Sequence, residues 1–475
     1  MESEHQPAKN TVPGSLGAAR AFPHQLSLEN VHGSVEVPHH EASFWEQWRA
    51  FVGPAILVSV GYMDPGNWGT DLQGGAQFKY GLLWVVGLAS LMAIFMQVIS
   101  ARLGVVTGKD LAQCCRDWYP AWTRWPNWLM SEVAIGACDL AEVLGSAVAL
   151  NLLFHIPLLW AVIITGLDVL LLLGLQRFGM RTIEAVVLVL VATIAGCYFI
   201  EIFVLPQTQP SFLELGHAFL APSIRHAGMI YVAIGIIGAT VMPHNLYLHS
   251  ALVQSRRLQK DDSSIRRALQ FNTIDSTVAL TVAFFVNAAI MVLAATVFFG
   301  KSGVSVPGGR FVSFGPDSDW IRVAYLTLAP LLGTAAASTL FAVALLAAGQ
   351  SSTITGTLAG QVVMEGFMHW RIKPWVRRLI TRTLAILPAV VIIGLRGDNS
   401  VTELLTLSQV VLALQLPFAM FPLLQFTSSR WRMGKWENGL LLLIAGWTSA
   451  ILITAMDLYG LPDSLRTAWQ LIGGH

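Results

Sequence analysis

The chain has 475 residues, of which 54% are hydrophobic and only 12% are charged. Soluble globular domains carry about 25% charged residues, so this composition and a mean hydropathy of +0.60 exclude an ordinary soluble enzyme and indicate a chain made largely of membrane-spanning helices. A formal net charge of +1 gives no reason to expect a nucleic-acid partner.

The N-terminal stretch, residues 1–45, is polar, unlike the rest of the chain. It contains no apolar segment of the kind found in a cleavable signal peptide. We therefore expect a flexible tail over 1–45, followed by the first membrane span.

The first apolar run, over about 51–77, is interrupted by Asp64-Pro65-Gly66-Asn67. Proline lacks a backbone N–H and clashes with the preceding helical turn, and glycine disfavours helix. We therefore predict two half-helices with an unwound joint that carries a carboxylate and an amide. Irregular backbone at membrane depth is tolerated only inside protein or beside a water-filled cavity, so an ionisable group there indicates a functional site.

A matching interruption, Met242-Pro243-His244-Asn245, lies in the apolar run over about 228–252. Both interruptions have the form x-Pro-x-Asn, and each has a glycine upstream, Gly61 or Gly238. A single proline kink in a membrane helix usually only shapes packing. Two interrupted segments at corresponding positions of two halves instead indicate the binding site of a transporter.

Hydropathy predicts eleven spans, of which the first and the sixth are broken. Because each repeat contains five spans, an odd number, the second repeat is expected to be inverted relative to the first. We predict an all-α membrane protein with repeats over 46–204 and 227–427 and an eleventh helix over 438–459. The predicted spans are 49–77, 81–104, 127–151, 156–175, 183–204, 227–255, 271–299, 332–366, 378–396, 400–427 and 438–459.

The orientation follows from the basic residues. Most of the 29 Lys and Arg residues fall in the segments that would share a side with the N-terminus, and such segments are cytoplasmic by the positive-inside rule. We therefore expect a multi-pass protein of the plasma (inner) membrane with a cytoplasmic N-terminus and, after eleven spans, an extracytoplasmic C-terminus. We expect it to function as a monomer.

The two breaks together offer a set of metal ligands. These are the side chains of Asp64, Asn67 and Met242 and the backbone carbonyls near Gly61 and Ala239. Carboxylate, amide and carbonyl oxygens suit divalent cations, while a thioether favours softer transition-metal ions. Methionine often merely fills an apolar core, but the position of Met242 directly before the second proline favours a ligand role.

The third predicted span carries three carboxylates, Glu132, Asp139 and Glu142. At 100° per residue they lie within an arc of about 80° on one helix face. Buried carboxylates on one face are typical of a proton relay, although Glu132 near the end of the span could equally be solvated. Arg382, at the start of the ninth span, is the expected counter-charge.

Two histidines follow the second break. His244 and His249 have an ordinary pKa near ~6.5 and could carry protons. Hydrogen-bonded structural roles are an equal alternative for His244 and the favoured alternative for His249.

These residues resemble the Nramp family of divalent metal transporters, which includes bacterial manganese transporters. The resemblance rests on the two broken-helix motifs and on the segment 349–361, rich in small and hydroxyl residues, and it runs from about residue 45 to 460. It implies a LeuT-like fold and the proton-coupled import of Mn²⁺, Fe²⁺ and similar ions by alternating access. It also implies that the protein is not an enzyme and needs no cofactor beyond the transported ions.

Residue by residue, the resemblance implies metal ligation by Asp64, Asn67 and Met242, with carbonyls at Gly61 and Ala239. Retention of the methionine implies the transition-metal type, because relatives that carry Mg²⁺ or Al³⁺ depart there. Gly61 and Cys138 stand where alanine and threonine are expected in many members. The resemblance further implies that Asn287 and Gln409 act in other conformations of the cycle. It implies a proton route that includes Asp64, His244, Glu132, Asp139 and Glu142.

Two other classes of protein are weaker alternatives. A sodium-coupled transporter of organic solutes could share the architecture, because half-helix N-termini bind substrate carboxylates, but Asp64 would repel such a group. A membrane-embedded enzyme or metal sensor would need a hydrolytic motif or a large extramembrane domain, and neither is visible in the sequence.

Overall fold

The structure is a computed structural model that describes residues 27–28, 31–38, 42–167, 180–204, 210–224, 227–259, 261–306, 311–315, 318–332, 335–396 and 401–472. Within these ranges the chain is almost entirely helical. The helices are α1 Phe44–Phe51, α2 Pro54–Ser59, α3 Pro65–Phe78, α4 Leu83–Thr107, α5 Leu111–Trp118, α6 Arg124–Phe154, α7 Leu158–Thr165, α8 Met180–Phe199, α9 Phe212–Leu220, α10 Ala227–Thr240, α11 Pro243–Leu252, α12 Asp262–Val297, α13 Trp320–Leu332, α14 Ala335–Met368, α15 Pro374–Arg396, α16 Val401–Thr427, α17 Arg430–Met433 and α18 Leu440–Ile472. Short strands are β1 Val35–Glu36, β2 Arg256–Arg257, β3 Gly303–Ser305 and β4 Phe311–Ser313.

Among the described residues, nine helical segments are long and apolar enough to cross a membrane. They correspond to nine of the predicted spans. The first predicted span corresponds to the half-helices α2 and α3, each of which is by itself too short to cross a membrane. The fourth is described only through α7, because 168–179 lie outside the described residues. The total of eleven therefore stays a prediction.

Two helices extend well beyond the predicted apolar spans. Helix α12 begins at Asp262 rather than near residue 271, because Asp261 caps it by accepting a hydrogen bond from the Ser264 N–H at 3.1 Å. Helix α18 continues to Ile472, past the predicted end at 459. Hydropathy detects only the apolar part of a helix, so polar turns that project beyond it are missed.

The first broken helix has its joint where the sequence predicts it. Helix α2 continues as a 3₁₀ turn over Val60–Met63 and stops at Asp64, whose backbone is extended with ψ 167°. Helix α3 then begins with Pro65 in its first turn, where the missing N–H costs nothing because first-turn N–H groups have no intrahelical partner. The proline therefore ends one half-helix and starts the next.

The second broken helix repeats this geometry. Helix α10 ends at Thr240, Met242 has extended backbone with φ −80° and ψ 123°, and α11 begins at Pro243. Both prolines thus occupy the first position of the outgoing half-helix. The freed backbone groups at both joints lie within the protein interior, as a helix break at membrane depth requires.

Glycines allow α3 to approach its neighbours closely. A Cβ at Gly75 would collide with the backbone carbonyl of Met291 on α12, and a Cβ at Gly66 would collide with the Gln409 side chain on α16. On α6, Gly145 lies against the ring of Pro65. Helix α3 is therefore enclosed by α6, α12 and α16, and most of its residues are buried.

We call the end of the bundle at which α1 lies the inner end. There Asp275 of α12 accepts hydrogen bonds from the Gly53 N–H at 3.3 Å and the Ala55 N–H at 3.0 Å, at the start of α2. Arg256 binds the carbonyls of Ala50 and Val52 at 3.0 and 2.7 Å. These bonds tie the inner half of the first broken helix to the elements that follow α11.

The segment 31–38, within the tail predicted over 1–45, contacts the inner end of the bundle. Strand β1 pairs in parallel with β2, and the Gly33 N–H donates to the Gln254 carbonyl at 3.0 Å. The Leu28 N–H donates to Glu365 at the end of α14, at 2.9 Å. A two-residue pairing of this kind depends on a distant partner, so the local sequence does not indicate it. Residues 1–26 lie outside the described part of the chain.

Candidate metal-binding site

The carboxylate of Asp64 has a structural role and a free oxygen. Oδ1 caps α3, since it accepts hydrogen bonds from the Asn67 backbone N–H and from Asn67 Nδ2, both at 2.8 Å. Oδ2 is buried and accepts a hydrogen bond from no described residue. A buried carboxylate oxygen without a donor is costly unless a proton or a cation reaches it.

The side-chain amide of Asn67 joins the two breaks. Besides Asp64 Oδ1, its Nδ2 faces the carbonyl oxygen of Ala239 at 3.1 Å and that of Gly61 at 3.4 Å. Its Oδ1 accepts from Thr240 Oγ1 at 3.3 Å. Three oxygens from the two broken helices thus converge on one partly positive nitrogen, and they are the carboxylate and the two carbonyls that the sequence predicts as ligands.

Met242 lies buried at the second break, where its thioether cannot cap α11. Its sulfur is 3.6 Å from Nδ2 of Asn245. Gly61 packs against the same two side chains, since a Cβ there would lie 3.2 Å from Met242 Sδ and would collide with the Asn245 amide. The Met242 sulfur therefore lies beside Gly61, whose carbonyl faces Asn67.

Asn287 and Gln409 flank this group from α12 and α16. Asn287 Nδ2 donates to the Tyr62 carbonyl at 2.8 Å and lies 3.4 Å from Asn67 Oδ1. Gln409 lies against Gly66 and donates to Ser408 Oγ at 2.9 Å. The side-chain oxygens of Asn287 and Gln409 accept no hydrogen bond from a described residue. Each therefore offers a further oxygen close to the breaks.

A network of ion pairs runs along α6. Asp139 and Glu142 are fully buried and pair with Arg378, which lies 3.1 Å from Glu142. Arg382 also reaches Glu142, at 3.4 Å, and it donates to the Asp139 backbone carbonyl at 3.4 Å and to Thr353 Oγ1 at 3.2 Å. Arg382, the expected counter-charge, thus shares this role with Arg378, which binds both carboxylates.

Glu142 is held by helix α14 as well. Ser352 Oγ and Thr353 Oγ1 donate to its two carboxylate oxygens at 2.9 and 3.0 Å. A Cβ at Gly356 would lie only 3.0 Å from Glu142 Oε1. The small and hydroxyl residues of 349–361 therefore let α6 and α14 pack closely while their hydroxyls hydrogen-bond the carboxylate.

Glu132 and the two histidines have different surroundings. Glu132 pairs with Arg377 at 2.7 Å. His249 Nδ1 lies 2.9 Å from Gln97 Oε1, and Gln97 in turn donates to the Tyr62 hydroxyl at 2.6 Å. His244 is buried, and its Nδ1 has no hydrogen-bond partner among the described residues. His249 thus belongs to a polar chain that leads back to the first broken helix.

Sequence reasoning missed several members of these networks. Arg377 and Arg378 are not among the predicted site residues, although together with Arg382 they form a basic face at the start of α15 that pairs with the acidic face of α6. Gln97 and Tyr62 gave no local signal, because a single polar residue in an apolar span acquires its meaning only from its contact.

Two broken membrane helices that bring a carboxylate, an amide, a thioether and freed carbonyls together define the site of a secondary transporter. A family model described as natural resistance-associated macrophage protein-like, Nramp, matches residues 55–462. The chain therefore belongs to the Nramp family, and the predicted family is confirmed.

Known proteins agree with this assignment. The divalent metal cation transporter MntH of Nostoc sp. is 50% identical over 439 residues, which cover 92% of this chain and 96% of that protein. The solved manganese transporter of Eremococcus coleocola is 39% identical with a TM-score of 0.83, covering 94% of this chain and 96% of the other. The nucleobase-cation-symport-1 transporter Mhp1, at 12% identity, has a TM-score of 0.54 over 92% and 95% of the two chains. This last likeness concerns the fold alone, and the predicted LeuT-like fold is confirmed.

Proposed function

We propose that this protein imports divalent transition-metal ions such as Mn²⁺ and Fe²⁺ together with protons by alternating access. The observation that carries the proposal is the convergence of Asp64 Oδ1, the Ala239 carbonyl and the Gly61 carbonyl on Asn67 Nδ2. A small cation that displaced this donor would meet the same three oxygens. Relatives named divalent metal cation transporter and manganese transporter support the choice of substrate.

The ligand set accounts for both binding and release. It combines one carboxylate with neutral oxygens, which suit Mn²⁺ and other divalent ions. The Met242 sulfur adds a soft ligand that discriminates against Ca²⁺ and Mg²⁺. The absence of cysteine from this set keeps the ion from being held permanently. Asn287 and Gln409 supply oxygens in other conformations of the cycle.

The proposed proton route runs along α6. A proton passes from Asp64 by way of Glu142 and Asp139 towards Glu132, and His244 and His249 exchange protons beside the metal site. Gly145, three residues beyond Glu142, packs on Pro65, which supports close approach of this route to the first break. Arg378 and Arg382 compensate the negative charge when the carboxylates are ionised.

The proposed arrangement in the cell follows from the basic residues. Most Lys and Arg residues fall in the sequence segments predicted to share a side with the N-terminus, which supports a cytoplasmic N-terminus and an extracytoplasmic C-terminus. The protein works as a monomer in the plasma membrane. The repeats extend over 46–204 and 227–427, with a separate helix over 438–459.

Reconstitution of the purified protein into liposomes tests this function. We expect Mn²⁺ uptake that saturates with concentration and acidifies the lumen, as read by a metal-quenched dye and a trapped pH dye. Protein-free liposomes are the control for leakage. No metal flux would contradict the function, and metal flux without acidification would contradict the proton coupling alone.

A further inference from the structure

Asp71 on helix α3 has no role in the site described above. Its side chain is 1% exposed, and its Oδ2 has no hydrogen-bond partner in the described part of the chain. Buried carboxylates are normally paired, hydrogen-bonded or bound to a metal. A proton or a bound cation would therefore stabilise this carboxylate, since no described side chain donates a hydrogen bond to its Oδ2.

The position of Asp71 on α3 relates it to the metal site. It follows Asp64 by seven residues, which is close to two helical turns and an axial distance of about 10 Å. It therefore lies on nearly the same face as Asp64 but nearer the outer end. An ion that approached Asp64 from outside along this face would meet Asp71 first.

The contacts on either side of Asp71 keep it within the protein. Four residues earlier, Asn67 faces Asn287 of α12, and four residues later, Gly75 packs on the Met291 backbone of the same helix. Residues four apart lie on one helix face, so Asp71 lies on the seam between α3 and α12. Asn287, at the inner side of this seam, has a side-chain oxygen that accepts no hydrogen bond from a described residue.

We infer that Asp71, with the Asn287 side-chain oxygen, forms a second cation site where a divalent metal ion pauses on its way to Asp64. The ligands are oxygens alone, so this site attracts divalent ions without selecting the softer ones. Selection of the softer transition-metal ions is made by the Met242 thioether at the site between the two breaks. The inference rests on the proposed function, because it assigns an entry position for the same substrate.

Transport kinetics test the role in entry. We expect Asp71→Asn to raise the KM for Mn²⁺ by at least about threefold, because a negative charge on the entry path raises the local cation concentration, while the maximal rate changes little. Asp457→Asn on α18 is the matched control, since Asp457 is also buried with an oxygen that lacks a donor but lies on the helix outside both repeats. We expect the KM of this control to equal that of the unmodified protein.

Direct binding separates this inference from the proposed function. The concentration of free Mn²⁺ is measured by electron paramagnetic resonance with the protein in detergent. We expect Asp64→Asn to retain weak Mn²⁺ binding and the double variant Asp64→Asn/Asp71→Asn to lose it. Asp71→Ser provides a second substitution with a different shape, and gel filtration checks that each variant is folded. Equal binding by the single and double variants, or an unchanged KM in a transporting Asp71→Asn protein, would overturn the inference. Absence of transport by the unmodified protein would instead refute the proposed function.

Discussion

The helices that leave the two breaks begin in different ways, although both breaks have the form x-Pro-x-Asn. At the first, Asp64 caps α3 and also presents a free oxygen to the site. At the second, Met242 cannot cap α11, and its contact is with Asn245. One residue at the first break therefore serves both the fold and the proposed substrate, while its counterpart at the second serves only the substrate. Loss of the cap at the first break should therefore affect stability as well as transport, whereas substitution of Met242 at the second should mainly affect selectivity.

Replacement of Asp64 should have the largest effect. We expect Asp64→Ala to abolish Mn²⁺ uptake and to lower the free energy of unfolding by about 1 kcal/mol, because the helix loses its N-cap. Asn caps helices as well as Asp does, so Asp64→Asn should keep the stability and still lose uptake. Thermal unfolding in detergent and uptake into liposomes measure the two effects. Normal uptake by Asp64→Asn would refute the metal-ligand assignment.

The two asparagines of the motifs provide the next comparison. Asn67 contacts both broken helices and α12, whereas the Nδ2 of Asn245 donates to the Met242 sulfur of its own motif. We expect Asn67→Ala to raise the KM for Mn²⁺ by about tenfold, equivalent to about 1.4 kcal/mol of lost binding. Asn245→Ala, as the matched substitution, should change the KM for Mn²⁺ by less than about threefold. Equal increases in KM for the two variants would contradict a larger contribution of Asn67 than of Asn245 to Mn²⁺ binding.

The carboxylates of α6 approach the first break, where Gly145 of the same helix packs on Pro65. We expect Glu142→Gln to reduce Mn²⁺-driven acidification of the liposome lumen by at least about fivefold, because an amide cannot release a proton. Metal flux should persist, since Glu142 is not a proposed metal ligand. Asp139→Asn should weaken the acidification in the same way. Acidification at the unmodified rate in Glu142→Gln would exclude this residue from the proton route.

Replacement of Met242 should change the uptake rate least. We expect Met242→Ala to keep Mn²⁺ uptake within about threefold while Ca²⁺ and Mg²⁺ become competitors, because the remaining oxygen ligands bind these ions too. Met242→Leu preserves the side-chain volume and should show the same loss, which separates the effect of sulfur from that of packing. Competition assays at fixed Mn²⁺ measure the selectivity. Unchanged selectivity in both variants would contradict a ligand role for the thioether.

Both breaks could be predicted from the sequence because they depend on local backbone chemistry. Proline at residues 65 and 243 disfavours a continuous helix, and each is the first residue of an outgoing half-helix. Apolar length likewise predicted the spans, although polar turns of α12 and α18 extended past them. The types of ligand could also be predicted from the sequence, because the side chains of Asp64, Asn67 and Met242 belong to the two motifs themselves.

Tertiary structure alone decided which groups meet. It brings the carbonyls of Gly61 and Ala239 to Asn67, Arg378 to Asp139 and Glu142, and the strand pair β1 and β2 together across more than two hundred residues. It also leaves Asp71 Oδ2 buried without a hydrogen-bond partner among the described residues, which no pattern around that residue indicates. These contacts join residues far apart in the chain, and their geometry is set by the close packing of α3, α6, α12 and α14 rather than by any local preference. The sequence by itself determined where the helices break, and the packing of the bundle determined what the two breaks hold between them.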